Sequence, residues 1–368
     1  MLGKIQLNKL NLMQGPIAEI ERHFLVIGTG STNVGSILSV GPETDLDAAL
    51  GVEKSVLKTQ VEAMVLNAGQ NFSCSVLPLA DGSVWDAGVD FAMETINCEA
   101  IVLVEPIADS TDLEAMQAKT VAIMAEYMRP VFFIAAARAI DDTTETWDAY
   151  VTATAPLLQN VATPEVCCVP YLWPDDVGTL AGRLCNRSVT VADSPMRVAT
   201  GALVGERSNK PLDLNGAAIT TAQLKALDAN RFSVPQWYPS FPGMYWGDCN
   251  MLDVPGGDYQ VVENLRVVQK AMRQIYPLAV ARIADRRLNS TPQSIAANKL
   301  YFMRPLRKMA KSAILLGEPF PGEIYPPTDS SIDIVWLDKT TVQIYLTVRP
   351  YNCPKDITVN LALDLSTE

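Results

Sequence analysis

The sequence has very little histidine and no paired-cysteine motif, and these absences exclude several kinds of site. His23 is the only histidine among 368 residues, so histidine-based acid–base or triad chemistry has one candidate and no orienting motif. The seven cysteines form no C-x-x-C pair and mostly lie among apolar neighbours, which is typical of buried thiols in a protein folded in a reducing cytoplasm. We therefore expect no zinc or other metal site.

Membrane spans and nucleotide-binding loops are also missing. No stretch of about 18 apolar residues occurs, and the N-terminus has no apolar run of the signal-peptide kind. The segment from Gly28 to Gly35, GTGSTNVG, follows an apolar strand, but its spacing is not G-x-G-x-x-G. The sequence favours a glycine-rich turn here. A Rossmann-like nucleotide-dependent enzyme is the alternative.

Charge is scarce and unevenly distributed. Charged residues make up 19% of the chain and hydrophobic residues 48%, with a net charge of −12. The acidic balance disfavours a nucleic-acid partner, because phosphate binding needs a basic footprint. The low charge fraction favours large protein–protein interfaces, although a well-packed monomer would have the same composition.

The first half of the chain alternates apolar strands with helical stretches. From Phe24 to about residue 190 this alternation predicts an α/β fold with a mainly parallel sheet. The apolar segment 196–205 is the next expected strand. The polar stretch that begins at Glu206 then predicts a domain boundary.

A basic region follows in the second half. Residues 260–311 hold eleven lysines and arginines and two acids, in two expected helices, 258–287 and 292–312. Pro277 and Pro305 should kink or interrupt these helices. Three of the basic residues share one helical face at i, i+4 and i+7, and four apolar residues should face the core (Arg266, Lys270, Arg273; Leu265, Val268, Met272, Ile275). The basic face is either solvated and balanced by nearby acids or a docking surface for an acidic partner.

The C-terminus alternates apolar and polar residues with the period of a half-buried strand. The apolar positions are Ile357, Val359, Leu361, Leu363 and Leu365. Burying them would contribute roughly 1.5–3 kcal/mol each, while ordering the backbone costs roughly 1–2 kcal/mol per residue. The two sums nearly cancel, so this strand needs an existing sheet, either its own domain's or a neighbour's. Pro350 and Pro354 precede it and interrupt any ladder, so we expect the chain to leave its domain there.

These features together resemble the contractile phage tail sheath family. The resemblance covers the opening VIGTGSTNVGSILSVGPETDLDAALG, the late helical region with IADRRLN, and the ending LTVRPYNCPKDITVNLALDLS. It implies an outer α/β layered domain, an inner sheath-core domain and extended terminal β-arms. The expected divisions are an N-terminal arm (1–22), the outer domain (23–205), the inner domain (206–349) and a C-terminal β-arm (350–368).

The resemblance also implies a function. Sheath subunits are structural proteins, not enzymes, that stack as hexameric rings around an inner tail tube and contract to drive the tube through a cell envelope, without a cofactor or ATP. The implied partners are further copies of the chain, the tube protein, and baseplate and tail terminator proteins, with no nucleic acid and no membrane. The implied location is the virion tail, assembled in the bacterial host cytoplasm. The residues expected to face the tube are Arg266, Lys270, Arg273, Arg304, Arg307 and Lys308.

Overall fold

The computed structural model describes residues 20–315 and 318–362. Its strands, in chain order, are β1 Phe24–Thr29, β2 Leu38–Val40, β3 Cys74–Leu79, β4 Ala100–Pro106, β5 Phe132–Ala137, β6 Thr163–Pro170, β7 Pro235–Gln236, β8 Tyr245–Trp246, β9 Met251–Leu252, β10 Ala313–Leu315, β11 Glu318–Phe320, β12 Ile332–Trp336 and β13 Val342–Leu346. Its helices are α1 Leu46–Leu50, α2 Val56–Ala68, α3 Trp85–Thr95, α4 Ser110–Tyr127, α5 Trp147–Leu158, α6 Asp176–Cys185, α7 Thr221–Ala229, α8 Val262–Val280 and α9 Pro292–Met309. None of these helices is long and apolar enough to span a membrane.

A seven-stranded sheet organises the first part of the chain, in the order β2-β3-β1-β4-β5-β6-β9. The five strands from β3 to β6 run parallel, and the short strands β2 and β9 pair antiparallel at the two sides. The parallel strands are apolar runs buried along most of their length, because helices cover both faces of such a sheet. The α/β fold expected from the alternation is confirmed.

Two glycines bring α2 and α6 into close contact beside the sheet. A Cβ atom on Gly178 would lie 2.0 Å from the carbonyl oxygen of Gln60, and one on Gly182 would lie 2.5 Å from that of Met64. The Gln60 side chain bridges the helices: its Nε2 donates to the carbonyl of Pro174 (2.6 Å), and its Oε1 accepts from the Gly178 amide (2.7 Å). Only glycine allows this approach of one helix backbone to another.

The segment 196–205 is not the strand that the sequence predicts. It contains a single 3₁₀ turn, Val198–Thr200. The guanidinium of Arg183 is buried beside this segment. It donates to the backbone carbonyls of Pro195, Arg197 and Gly201 at 2.7–3.1 Å. One arginine thus satisfies carbonyls that a strand would have paired with a neighbour.

The sheet and its core extend beyond the boundary expected at residues 205 and 206. Strand β9 pairs with β6. The core cluster that surrounds the sheet includes residues of α7, of the loop after it, of β8 and β9, and of the start of α8 (Leu224, Leu227, Phe232, Trp246, Leu252, Leu265). Residues 206–252 therefore pack with the α/β layer.

The last part of the described chain consists of α8, α9 and two small hairpins, β10–β11 and β12–β13. Val267, Ala271, Leu306, Met309 and Ile324 form one small core, and a second lies between α9 and the β12–β13 hairpin. Both helices continue through their prolines, Pro277 and Pro305, so the expected interruption is wrong. Each proline removes one i→i−4 backbone hydrogen bond, a loss that helices of 19 and 18 residues sustain.

Candidate assembly surfaces

The glycine-rich turn after β1 is a packing feature. A Cβ atom on Gly28 would lie 2.2 Å from Cγ2 of Val104 on β4, and one on Gly30 would lie 2.7 Å from Cβ of Pro78. The adjacent cavity of about 340 Å³ is lined by the carboxylates Glu105 and Asp112 and by no basic side chain. A phosphate group would be repelled there, so the geometry does not support the nucleotide-enzyme alternative.

The remaining candidates for chemistry are structural too. His23 is largely buried, with its ring nitrogens 3.1 Å from the carbonyl oxygen of Ser73 and 3.0 Å from Oγ of Ser75, and burial lowers its pKa. Among the described residues, no group of three or more histidine, cysteine or acidic side chains could hold a metal ion. Six of the seven cysteines are buried, and Cys353 is exposed.

Half of the expected tube-facing surface lies in the protein interior. Arg266, Lys270 and Arg273 are 1%, 8% and 8% exposed, so they cannot form the exposed face that the helical spacing predicted. Arg266 holds Glu99 through two hydrogen bonds of 2.7 and 2.9 Å, and Lys270 Nζ lies 2.8 Å from Oε1 of Glu323. These partners account for the burial, because a buried charge must be paired.

The buried face of α8 crosses the amino-terminal ends of the central strands. Glu99 directly precedes β4, and its carboxylate also accepts from the backbone amide of Arg22. The side chains of Gln269 and Arg273 donate to the carbonyls of Val131 and Pro130, which directly precede β5, at 3.2 and 2.8 Å. Charged and amide side chains of α8 therefore attach the second part of the chain to the sheet.

The three other expected residues are on the surface. Arg304, Arg307 and Lys308 are exposed on α9, and Arg307 and Lys308 lie in its last turn. The Arg304 guanidinium lies 5.1 Å from the ring centre of Tyr301, which is a cation–π contact. A basic surface does exist, and α9 provides it.

The C-terminal segment is held to the molecule as far as Lys355. The amide of Tyr325 donates to the carbonyl of Arg349 (2.9 Å), and the rings of Tyr325 and Tyr351 lie 4.0 Å apart. Lys355 Nζ then lies 2.5 Å from Oδ2 of Asp248 and 2.7 Å from Oε1 of Glu263. The chain therefore remains in contact with its own molecule past both Pro350 and Pro354. The sequence pattern did not predict that this contact extends to Lys355.

Beyond Lys355 the described chain loses its cover. Residues 356–362 are exposed and adopt no regular secondary structure, and the exposed fractions of Ile357, Val359 and Leu361 are 71%, 73% and 94%. The apolar face of the predicted arm is therefore bare along the described part. Leu363 and Leu365 lie outside the described residues, as do residues 1–19 of the expected N-terminal arm.

Comparison with known proteins identifies the family. The chain matches the DUF2586 N-terminal domain over residues 2–250 and the DUF2586 C-terminal domain over residues 258–366. It is 47% identical, over 100% of its length and 99% of the relative's, to a protein of Haemophilus phage HP1 (strain HP1c1) whose name describes it as a tail sheath protein. The chain belongs to the contractile phage tail sheath family. The gap between the two domain matches, residues 251–257, contains β9 and precedes α8.

Solved structures of contractile systems share the fold of this sheath protein. A chain of the six-fold symmetrised cryo-EM baseplate of the anti-feeding prophage aligns with a TM-score of 0.59 at 13% identity, covering 99% of this chain and 100% of that one. The crystal structure of a sheath tail protein from Desulfitobacterium hafniense aligns with a TM-score of 0.56 at 9% identity, covering 93% and 96%. One from Listeria innocua aligns with a TM-score of 0.56 at 8% identity, covering 90% and 92%.

Proposed function

We propose that this chain is the contractile subunit of a phage tail: it stacks as hexameric rings around an inner tube and drives that tube through a cell envelope on contraction. The observation that supports this most directly is the C-terminal arm, whose apolar residues Ile357, Val359 and Leu361 are bare in the isolated chain. A strand of this composition is an aggregation hazard unless another sheet covers it. A neighbouring subunit in a polymer supplies that sheet. The role needs no cofactor and no catalysis.

The acceptor that we propose for the arm is the outer edge of β13. The β12–β13 hairpin has two strands and packs against α9, so β13 keeps one edge to which a further strand can be added. Inward side chains on β12, Ile332 and Ile334, are buried, whereas those on β13 are half-buried (Val342, Ile344, Leu346). A strand added beside β13 would cover these half-buried side chains, and its period of two matches theirs.

The same geometry suggests how the subunit is oriented. The exposed arginines and lysine of α9 belong to the second part of the chain, as do the hairpin and the arm. We propose that this part faces the tube, that Arg304, Arg307 and Lys308 contact the tube protein, and that the α/β layer lies outside. Exposed ion pairs are worth roughly 0–1 kcal/mol each, so several could hold a subunit and still release it on contraction. Baseplate and terminator proteins would meet the ends of the polymer.

Electron microscopy of assembled protein tests the proposal. Replacing Ile357, Val359 and Leu361 with aspartate should give folded subunits that form no rings or tubes, because charge on the apolar face prevents its burial. The matched control replaces Thr358 and Asn360, on the opposite face of the same strand, with aspartate and should still assemble. If the first variant forms tubes as readily as the control, the arm does not link subunits and the proposal is wrong.

A further inference from the structure

The last contact that holds the described C-terminal chain to its own subunit is made by Lys355, whose ammonium group lies between two carboxylates. We call these three residues the clamp. Lys355 Nζ contacts Asp248 Oδ2 at 2.5 Å and Glu263 Oε1 at 2.7 Å. The side chains of Asp248 and Glu263 are 14% and 7% exposed, and that of Lys355 is 27% exposed. The clamp is therefore largely buried, unlike an ion pair on the protein surface.

The two carboxylates come from different parts of the molecule. Asp248 lies in the loop between β8 and β9, against the α/β core, and Glu263 lies in the first turn of α8. Their negative charges would repel each other without a cation between them, and the Lys355 ammonium supplies it. Lys355 thus ties the root of the arm to the junction where the sheet ends and α8 begins.

The chain on the two sides of Lys355 is held very differently. Before it, the Arg349 carbonyl and the Tyr351 ring are held by Tyr325. After it, the described residues 356–362 are all exposed. The side chain of Lys355 therefore marks the boundary between the anchored chain and the arm.

We propose that Lys355 is a positioning residue that fixes the point from which the C-terminal arm leaves its subunit and reaches the sheet of a second copy of this chain. This inference rests on the proposed function and adds a residue whose contact makes arm exchange between subunits efficient. A fixed root limits the space that the arm explores, so its effective concentration at the acceptor is high.

The size of the effect follows from the number of free residues. With the clamp closed, a strand that begins at Ile357 is separated from its anchor by one residue, Asp356. With the clamp open, the nearest anchor is Tyr351, and about five residues become free. Effective concentration falls roughly as the −3/2 power of linker length, which predicts about a tenfold loss.

The experiment compares tube assembly of the full chain with and without the clamp. Lys355→Met removes the ammonium and keeps a long side chain, and it should raise the protein concentration needed for tubes about tenfold, measured by sedimentation. Lys355→Arg should restore assembly, and Lys54→Met, at an exposed lysine far along the chain, should have no effect. Hydrogen exchange of residues 352–355 should accelerate in Lys355→Met, which reports directly on release of the root.

A second variant separates positioning from folding. Lys355→Met leaves two buried carboxylates without a counter-ion and could unfold the junction. Combining it with Asp248→Asn and Glu263→Gln removes those charges, so this variant should be folded and yet still need about ten times more protein for assembly. Normal assembly of the triple variant, or of Lys355→Met, would overturn the proposal.

The outcomes also distinguish this inference from the proposed function. Deletion of residues 356–368 should abolish tubes if the arm links subunits. If the deletion abolishes tubes and Lys355→Met assembles normally, only the positioning role is wrong. If the deleted chain still forms tubes, arm exchange itself is wrong, and the positioning role fails with it.

Discussion

The ion pair between Glu99 and Arg266 should be one of the most sensitive points of the fold. Glu99 is fully buried and Arg266 is 1% exposed, so water cannot solvate either charge when its partner is removed. Leaving one buried charge uncompensated costs about 3–5 kcal/mol. We expect Glu99→Gln, which keeps the shape of the side chain, and Arg266→Met each to lower the free energy of unfolding by about that amount.

The double variant measures how much of this cost belongs to the pair. Removing both charges leaves no isolated guanidinium and no isolated carboxylate, so the loss should be smaller than the sum of the single losses by about 0.5–3 kcal/mol. Recovery should be incomplete, because the Leu184 carbonyl loses its donor on Arg266 and the Arg22 amide then donates to a neutral amide oxygen instead of a carboxylate. Urea unfolding followed by tryptophan fluorescence provides the four free energies.

A surface pair provides the control. Lys119 and Asp90 are 2.9 Å apart, and the Asp90 side chain is 63% exposed, so Asp90→Asn should cost roughly 0–1 kcal/mol. The reasoning would be refuted if Glu99→Gln were as mild as Asp90→Asn, or if the two single losses in the buried pair simply added. In either case α8 would be held to the sheet by other contacts.

Three further changes have expected outcomes. Burial alone would raise the pKa of Glu99, but the attraction and hydrogen bonds of the Arg266 guanidinium are together larger and leave the pKa below its ordinary value of 4.5. The stability that this pair contributes is therefore present above pH 4.5 and is lost as pH falls. Acid titration of unfolding should therefore be shallower in Glu99→Gln than in the parent chain below about pH 4.5. Charge reversal by Arg304→Glu with Lys308→Glu should weaken co-sedimentation with the tube protein and leave the melting temperature unchanged, and equal co-sedimentation would contradict tube contact through α9. Gly178→Ala should lower the free energy of unfolding by about 1–3 kcal/mol or more in urea titrations, because its methyl group would overlap the Gln60 carbonyl; an unchanged midpoint would show that the helices can separate.

The sequence was informative where a pattern depends on neighbours along the chain. The α/β alternation and the expected helix from residue 292 both follow from local periods and local hydrogen bonds. The packed turn after β1 also follows from a local signal, because its glycine spacing does not fit a phosphate site.

The sequence could not show which side of α8 faces the sheet. Arg266 and Arg273 share a helical face, but helical spacing does not tell whether that face meets water or a buried acid. Glu99 was a usable clue, since an acid directly before an apolar strand needs a cation if the strand is buried. The Lys355 clamp was out of reach for another reason: its partners are 92 or more positions away in the chain, and only the fold brings them together.

The two outermost strands of the large sheet have a consequence for the fidelity of assembly. Strand β2 contains three residues and β9 contains two, with a register shift where β9 meets β6. Edge strands this short and irregular expose few backbone groups with which another copy of the chain could pair incorrectly. In a cell crowded with identical copies, the α/β layers should therefore stay separate from one another, and the C-terminal arm is the segment that we propose to exchange between copies.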